Sequence, residues 1–332
     1  DDISLGSPPD YFAPGGQRWD FPVLNPETIF NNDGSLGKGG ELIRNKYESI
    51  FMECPGGVRI DHVIGLIDPF VYKQNEPVMT NKNSGRLYSS PDLDFLKKYN
   101  KHTKEEYAAI IEKIILPAAS KYGIAKENII CEDLGALTKP VTNIMKDYGL
   151  TGVSLTEYGA RGSNVPNKNV IMLGSHDNSS FIEYTDRLFN SETKNSNFEQ
   201  KIKNLVEDTQ SPSLDDSQKK AKIDELKNDK IKFMQASFAE LFTSPAKKIQ
   251  IFFTDFFGIG KTYNIPGADA DNWTLRLTPD FENIYYKNLR KGTAFNLPEA
   301  ISTALKHRGD AFLSKHKVLI NKLDKFAQIL KE

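Results

Sequence analysis

The chain has 332 residues, enough for two average domains or one large barrel, and its 39% hydrophobic and 26% charged residues are those of an ordinary globular protein. With 43 basic and 44 acidic residues the net charge is −1, so no global field favours nucleic acid or an anionic membrane. No apolar run is long enough to span a bilayer, no signal peptide is visible, and two cysteines, Cys54 and Cys131, are too few for a disulfide framework; a cytoplasmic location is expected. The chain opens without methionine on "DDISLGSPPDYF", and residues 7–22 read as a long loop carrying Tyr11, Phe12, Trp19 and Phe21.

Leu42, Ile43, Tyr47, Ile50 and Phe51 then recur at helical spacing. The first of five short apolar runs follows at residues 58–62 (VRIDH). The others are 128–133 (NIICED), 152–158 (GVSLTEY), 169–176 (NVIMLGSH) and 249–255 (IQIFFTD). Their near-continuous apolarity suits strands covered on both faces. Between them, Thr103 and Glu106 form a capping-box pattern ahead of a stripe of Tyr107, Ile110, Ile111, Ile114 and Ile115 that ends at Gly123. Residues 140–148 predict a shorter helix closed by Gly149. Residues 191–232, rich in Lys, Asn, Asp and Glu, predict a solvated helical excursion, and two helices, 298–306 and 310–330, finish the chain. This alternation predicts an α/β protein with a parallel sheet.

Four runs end in groups that do not belong in a core: Arg59, Asp61 and His62; Glu132 and Asp133; Glu157 and Tyr158; His176 and Asp177, then Asn178. The fifth ends in Asp255 but continues through Phe256 and Phe257. A bare buried carboxylate costs several kcal/mol unless it is paired, and the C-terminal ends of barrel strands carry active sites. Each residue also has a structural reading. Asp61 serves as a partner for Arg59, Asp133 as a helix cap, His62 as a core histidine, and Glu157 as a structural or substrate-adjacent group. Arg59 lies two residues before Asp61, so strand alternation points both side chains to one side.

No His-x-x-His or paired-Cys spacing, phosphate loop or Gly-x-Ser-x-Gly elbow is present. Neither metal nor cofactor is expected. Carboxylates gathered in this way fit glycosidic bond cleavage, one attacking the anomeric carbon and another protonating the leaving oxygen. The aromatics of residues 7–22 suit the apolar faces of sugar rings, with Asp10 and Gln17 to hold hydroxyls; the alternative is that they cover the end of a barrel.

The motifs "GSPPDYF" with "GQRW", then "VRIDHVIGL", "IICEDLG", "GSHDN" and "NIPGADADNWTLRL" occur in this order between Gly6 and Leu277. In this the chain resembles the 4-alpha-glucanotransferases of the amylomaltase type, glycoside hydrolase family 77. The resemblance implies a (β/α)8 TIM barrel of the α-amylase superfamily, with the five runs as its fourth to eighth strands. Residues 1–332 would be the C-terminal part of one catalytic barrel, lacking strands one to three. Residues 1–37 would be a substrate-loop region, and 191–232 an excursion between strands seven and eight.

It further implies Asp61 as nucleophile, Glu132 as acid/base, and Asp177 as the third acid. Arg59 orients Asp61. His176, Asp10, Phe12, Gln17, Trp19, Asn272 and Trp273 are the implied substrate-binding residues, the last two either touching substrate or supporting it. The substrates would be malto-oligosaccharides and α-1,4-glucans, with no nucleic acid or membrane partner. The implied reaction is a retaining transfer to a sugar 4-hydroxyl, with α-glucan hydrolysis as the nearest alternative. Three departures from the family pattern stand out: Val63-Ile64 in place of a Phe-Arg pair, Ser175 where threonine is common, and Asp20 after the tryptophan in place of glycine.

Overall fold

The computed structural model describes residues 3–9, 14–73, 85–90, 101, 103–135, 137–190, 196–266 and 271–332. Asp10, Tyr11 and Phe12 lie outside the described residues. The chain divides into two compact units, Asp1–Val153 and Ser154–Glu332. Nine short strands are described: β1 Ile3–Ser7, β2 Gln17–Pro22, β3 Val58–Ile60, β4 Phe70–Lys73, β5 Arg86–Leu87, β6 Ile129–Cys131, β7 Val153–Leu155, β8 Val170–Met172 and β9 Lys248–Ile249.

In the first unit an antiparallel sheet has the order β2-β1-β4-β5. Residues 7–22 are therefore not one continuous loop, because β2 pairs with β1. The polar, proline-bounded sequence QRWDFP hid that strand. The pairing slips between Leu5, opposite Phe21, and Gly6, opposite Arg18, which leaves Trp19 and Asp20 as a bulge. Asp20 takes φ +56 there and is held by Arg18, whose Nε donates to Oδ1 at 2.7 Å. That left-handed backbone is what glycine adopts freely and what aspartate tolerates better than most residues. The departure from glycine thus keeps the conformation.

β3 and β6 pair in parallel, Val58 opposite Ile129 and Ile60 opposite Cys131, and Ile130 bridges Thr151 in the same sense. Helix Lys38–Glu53 forms as predicted and buries Ile43 and Phe51 with Tyr47 packed against them, but Leu42 of the predicted stripe is exposed. The capping box forms: Thr103 accepts from the Glu106 N–H while the Glu106 side chain accepts from the Thr103 N–H. The helix it starts changes to a π-helical turn over Ile111–Ile115, where the Leu116 N–H reaches back to the Ile111 carbonyl. Pro117 supplies the reason. It has no N–H for the carbonyl four residues earlier, and its ring crowds that carbonyl. Gly123 and Gly149, at φ +70 and +66, close their helices as expected. Val63 and Ile64 are buried in the same core as Ile114, Ile115 and Ile144. They fill it as apolar residues.

In the second unit the sheet order is β7-β8-β9, with β8 and β9 parallel. The fifth predicted strand is corrected here. β9 stops at Ile249, and Phe253–Phe257 is a short helix closed by Gly258 in the left-handed conformation. Its run of phenylalanines reads as strand because both structures bury aromatics. Asp255 is therefore a buried helical residue and not a strand-end acid. Within residues 191–232, helices Ser196–Thr209 and Asp216–Asn228 and the start of Lys230–Thr243 are described, but they are not merely solvated. Ile202, Leu205, Val206 and Leu226 are each under 5% exposed and share a core with Phe181, Phe233 and Phe295. The last two helices span Leu297–His307 and Asp310–Ile329. Among the described residues no helix is long and apolar enough to cross a membrane.

Candidate active site

In the first unit Asp61 follows directly on β3. Its Oδ1 accepts from Arg59 Nη1 at 2.6 Å, as strand alternation predicts, while its side chain stays 67% exposed and open to a reactant. The next residue, His62, has φ +47, a costly backbone for a non-glycine residue. Its N–H donates to Glu132 Oε2 at 3.0 Å, and the Leu134 N–H donates to Oε1 at 2.8 Å. The Glu132 main chain is also tied to the end of β3, its N–H to the Ile60 carbonyl and its carbonyl to the Val63 N–H. Glu132 thus cannot turn away from the residue that follows Asp61.

Burial pushes the Glu132 carboxyl above the usual carboxylate range; its two backbone hydrogen bonds oppose this, the Asp61 charge adds to it and Arg59 counters it. A raised carboxyl beside an accessible, cation-paired carboxylate is the asymmetry that acid catalysis with nucleophilic attack needs.

Trp19, displaced by the β-bulge, meets the His62 ring edge-on at 4.5 Å, and its indole N–H donates to Gln17 Oε1 at 3.1 Å. Gln17, Trp19 and His62 therefore form one contiguous group. Asp133 is corrected: the following helix, Lys139–Asp147, has Thr138 at its cap, and Asp133 Oδ1 instead accepts from the Val153 N–H at 2.8 Å.

In the second unit a turn over Ser175–Asn178 follows β8. Asp177 accepts from Asn264 Nδ2 at 2.5 Å and lies 3.2 Å from His176 Nε2. The His176 ring faces Trp273 at 5.1 Å, and Trp273 meets Tyr263 edge-on at 5.3 Å. Trp273, at φ +65, stays half exposed. Asn272 bonds both the N–H and the carbonyl of Ile265, at 2.9 and 3.0 Å. Its amide therefore ties Asn272 to Ile265, while Trp273 keeps half of its surface exposed.

Sequence reasoning missed the residue that organises this turn. Asn178 Oδ1 accepts from both the N–H and the hydroxyl of Ser175, at 2.7 and 2.8 Å, and its Nδ2 donates to the Tyr158 hydroxyl. The Ser175 hydroxyl also accepts from the Asp177 N–H at 3.2 Å; serine thus supplies the contacts made here by this position. Asn178 stood in the motif, but only its partners reveal its role. Among the described residues no group of three or more His, Cys, Asp or Glu is arranged to hold a metal ion.

A family model described as 4-alpha-glucanotransferase matches residues 1–282. The chain is 26% identical over 289 residues to a 4-alpha-glucanotransferase of Synechocystis sp., covering 84% of this chain and 46% of that protein. It is 25% identical over 291 residues to a chloroplastic/amyloplastic 4-alpha-glucanotransferase of Arabidopsis thaliana, covering 84% and 41%. The chain spans less than half the length of these curated relatives. The crystal structure of amylomaltase from Corynebacterium glutamicum is similar with TM-score 0.59 at 16% identity, over 92% of this chain and 42% of that one. That likeness is one of fold, an α/β fold of the amylomaltase type. By a family match that runs along most of its length, the chain belongs to the 4-alpha-glucanotransferase family.

Proposed function

We propose that this chain carries the catalytic groups of a retaining 4-alpha-glucanotransferase acting on malto-oligosaccharides and α-1,4-glucans. Glu132 protonates the glycosidic oxygen while Asp61 attacks the anomeric carbon, giving a β-glucosyl ester. The 4-hydroxyl of an acceptor glucan, deprotonated by Glu132, then displaces Asp61 and forms a new α-1,4 bond. Arg59 keeps the attacking carboxylate turned to the sugar, and Trp19 with Gln17 offers an apolar face and a hydrogen bond to a ring. Asp177, with His176 beside it, stabilises the oxocarbenium-like transition state. Asp10 and Phe12, outside the described residues, are proposed as further substrate-binding groups, and Trp273 borders His176. A (β/α)8 barrel of the α-amylase superfamily is the fold that this reading expects.

The observation that carries this reading is the exposed Asp61 ion-paired to Arg59, next to a partly buried Glu132 whose carboxyl is held by the His62 and Leu134 N–H groups. The test is Asp61→Asn, with maltotriose as donor and acceptor. Loss of the nucleophile lowers transfer by about 10⁴-fold or more. Unchanged formation of longer oligosaccharides by the variant would overturn the assignment. Release of glucose and maltose by the unaltered chain, without longer products, would make it a hydrolase.

A further inference from the structure

Glu157, two residues past β7, has no part in the mechanism above, yet half of its carboxyl is buried without a partner. Its Oε1 is buried and makes no hydrogen bond. Its other oxygen lies against Gly174: a Cβ built on that glycine would sit 2.3 Å from Glu157 Oε2, and 3.1 Å from the Asn178 Cβ. No side chain fits between them. The main chains are joined as well, the Glu157 N–H donating to the Leu173 carbonyl at 3.0 Å. The neighbouring Tyr158 hydroxyl accepts from Asn178 Nδ2, the hub of the Ser175–Asn178 turn. Two consecutive residues after β7 therefore grip both ends of the segment that carries His176 and Asp177.

We propose that Glu157 is a positioning residue: its carboxyl is the seat on which Gly174 rests, and that contact sets where His176 and Asp177 point. This rests on the functional reading above for what His176 and Asp177 do, but not for the contact itself.

The charged and titratable groups around Glu157 explain how the seat keeps its shape. Asp255 faces it from helix Phe253–Phe257, Lys201 from helix Ser196–Thr209, and Arg187 and Tyr184 from helix Phe181–Asn190. Glu240, on helix Lys230–Thr243, shares Lys201 with it. Lys201 Nζ is committed to the Thr156 carbonyl at 2.6 Å, and Asp255 to the Phe181 N–H at 2.8 Å. Neither side chain bonds Glu157. Burial, helped by the Asp255 charge and opposed by Lys201 and Arg187, pushes the Glu157 carboxyl up to about 8. The seat is thus a neutral carboxylic acid at pH 7. Above pH 8 it becomes a carboxylate near Asp255 with no hydrogen bond for Oε1, and the Gly174 contact is the softest place to yield.

The test uses the whole chain with Glu157→Gln, a neutral isostere, and Glu157→Ala, which removes the seat. The first readout is the His176 ring resonance, followed by NMR from pH 6 to 10. The wild-type signal is expected to inflect near pH 8, and the Gln variant to lose that inflection. The second is transfer from maltotriose. Glu157→Ala is expected to lower kcat by about tenfold to a hundredfold, the scale of a small misplacement of a reacting group, with KM changed by less than about twofold. Glu157→Gln keeps the neutral-pH rate and loses the fall of kcat above pH 8. An inflection that persists in the Gln variant, or a His176 signal in the Ala variant identical to wild type, overturns the proposal. If the wild-type chain transfers no glucan, the functional reading fails, and the NMR readout still decides the role of Glu157.

Discussion

Glu132 directly follows β6 and Glu157 lies two residues past β7; both are partly buried, and both are pushed above the usual carboxylate range. They differ in what holds them. Glu132 accepts one backbone N–H on each oxygen, which favours its charged form and opposes burial. Glu157 accepts none at Oε1 and rises to about 8. The contrast shows how one fold makes two kinds of acid. On Glu132, backbone donors oppose the rise that burial causes. Without them a carboxyl becomes a neutral spacer.

The largest effect that separates the two acids is on rate. Glu132→Gln is expected to lower kcat by about 10²- to 10⁴-fold, and Glu157→Gln to change it by less than twofold at pH 7. Steady-state kinetics on maltotriose compares them directly. Equal losses would erase the distinction between reacting and positioning carboxyls.

The next effect is on stability against pH. Glu157 rises from 4.5 to about 8 and Asp255 from 3.8 to about 7. A carboxyl raised by folding binds its proton more tightly in the folded state. Its contribution is full below the unfolded value and is lost as pH rises through the folded one. The chain should therefore melt at a lower temperature at pH 9 than at pH 6, with the fall concentrated between about pH 4.5 and 8. Glu157→Gln and Asp255→Asn should each flatten the curve. A scan with the same slope in both variants would show that the burial of these acids is not felt.

The smallest effect compares the helix starts. Each unit has a complete capping box, Thr103 with Glu106 and Asp215 with Gln218. The first starts the helix that leads into the Ile111–Ile115 core, while the second starts a helix whose one buried residue is Leu226. Alanine at either cap costs about 1 kcal/mol of helix stability. Chemical denaturation should show that loss for Thr103→Ala, and a smaller one for Asp215→Ala because less apolar packing depends on that helix.

Much of this was legible in the sequence because it is local. The helix at Lys38–Glu53, the Thr103 box, the Gly123 and Gly149 stops and both closing helices follow from spacing and caps within a few residues. The Arg59–Asp61 pair follows from alternation in one strand. The strand β2 and the helix Phe253–Phe257 were misread because their composition contradicts the structure that long-range pairing imposes. The alternative of Asp133 as a cap gives way to a bond with the Val153 N–H, 20 residues away and so not visible in local spacing.

By itself, then, the sequence determined the order of motifs, the helices and the residue types gathered at strand ends, since these depend on neighbours along the chain. Folding alone decided that Glu132 is gripped by a residue 70 positions earlier, that Asn272 bonds Ile265, and that Glu157 lies against Gly174. Those outcomes depend on which groups exclude water from one another, and that exclusion exists only once separated segments have packed.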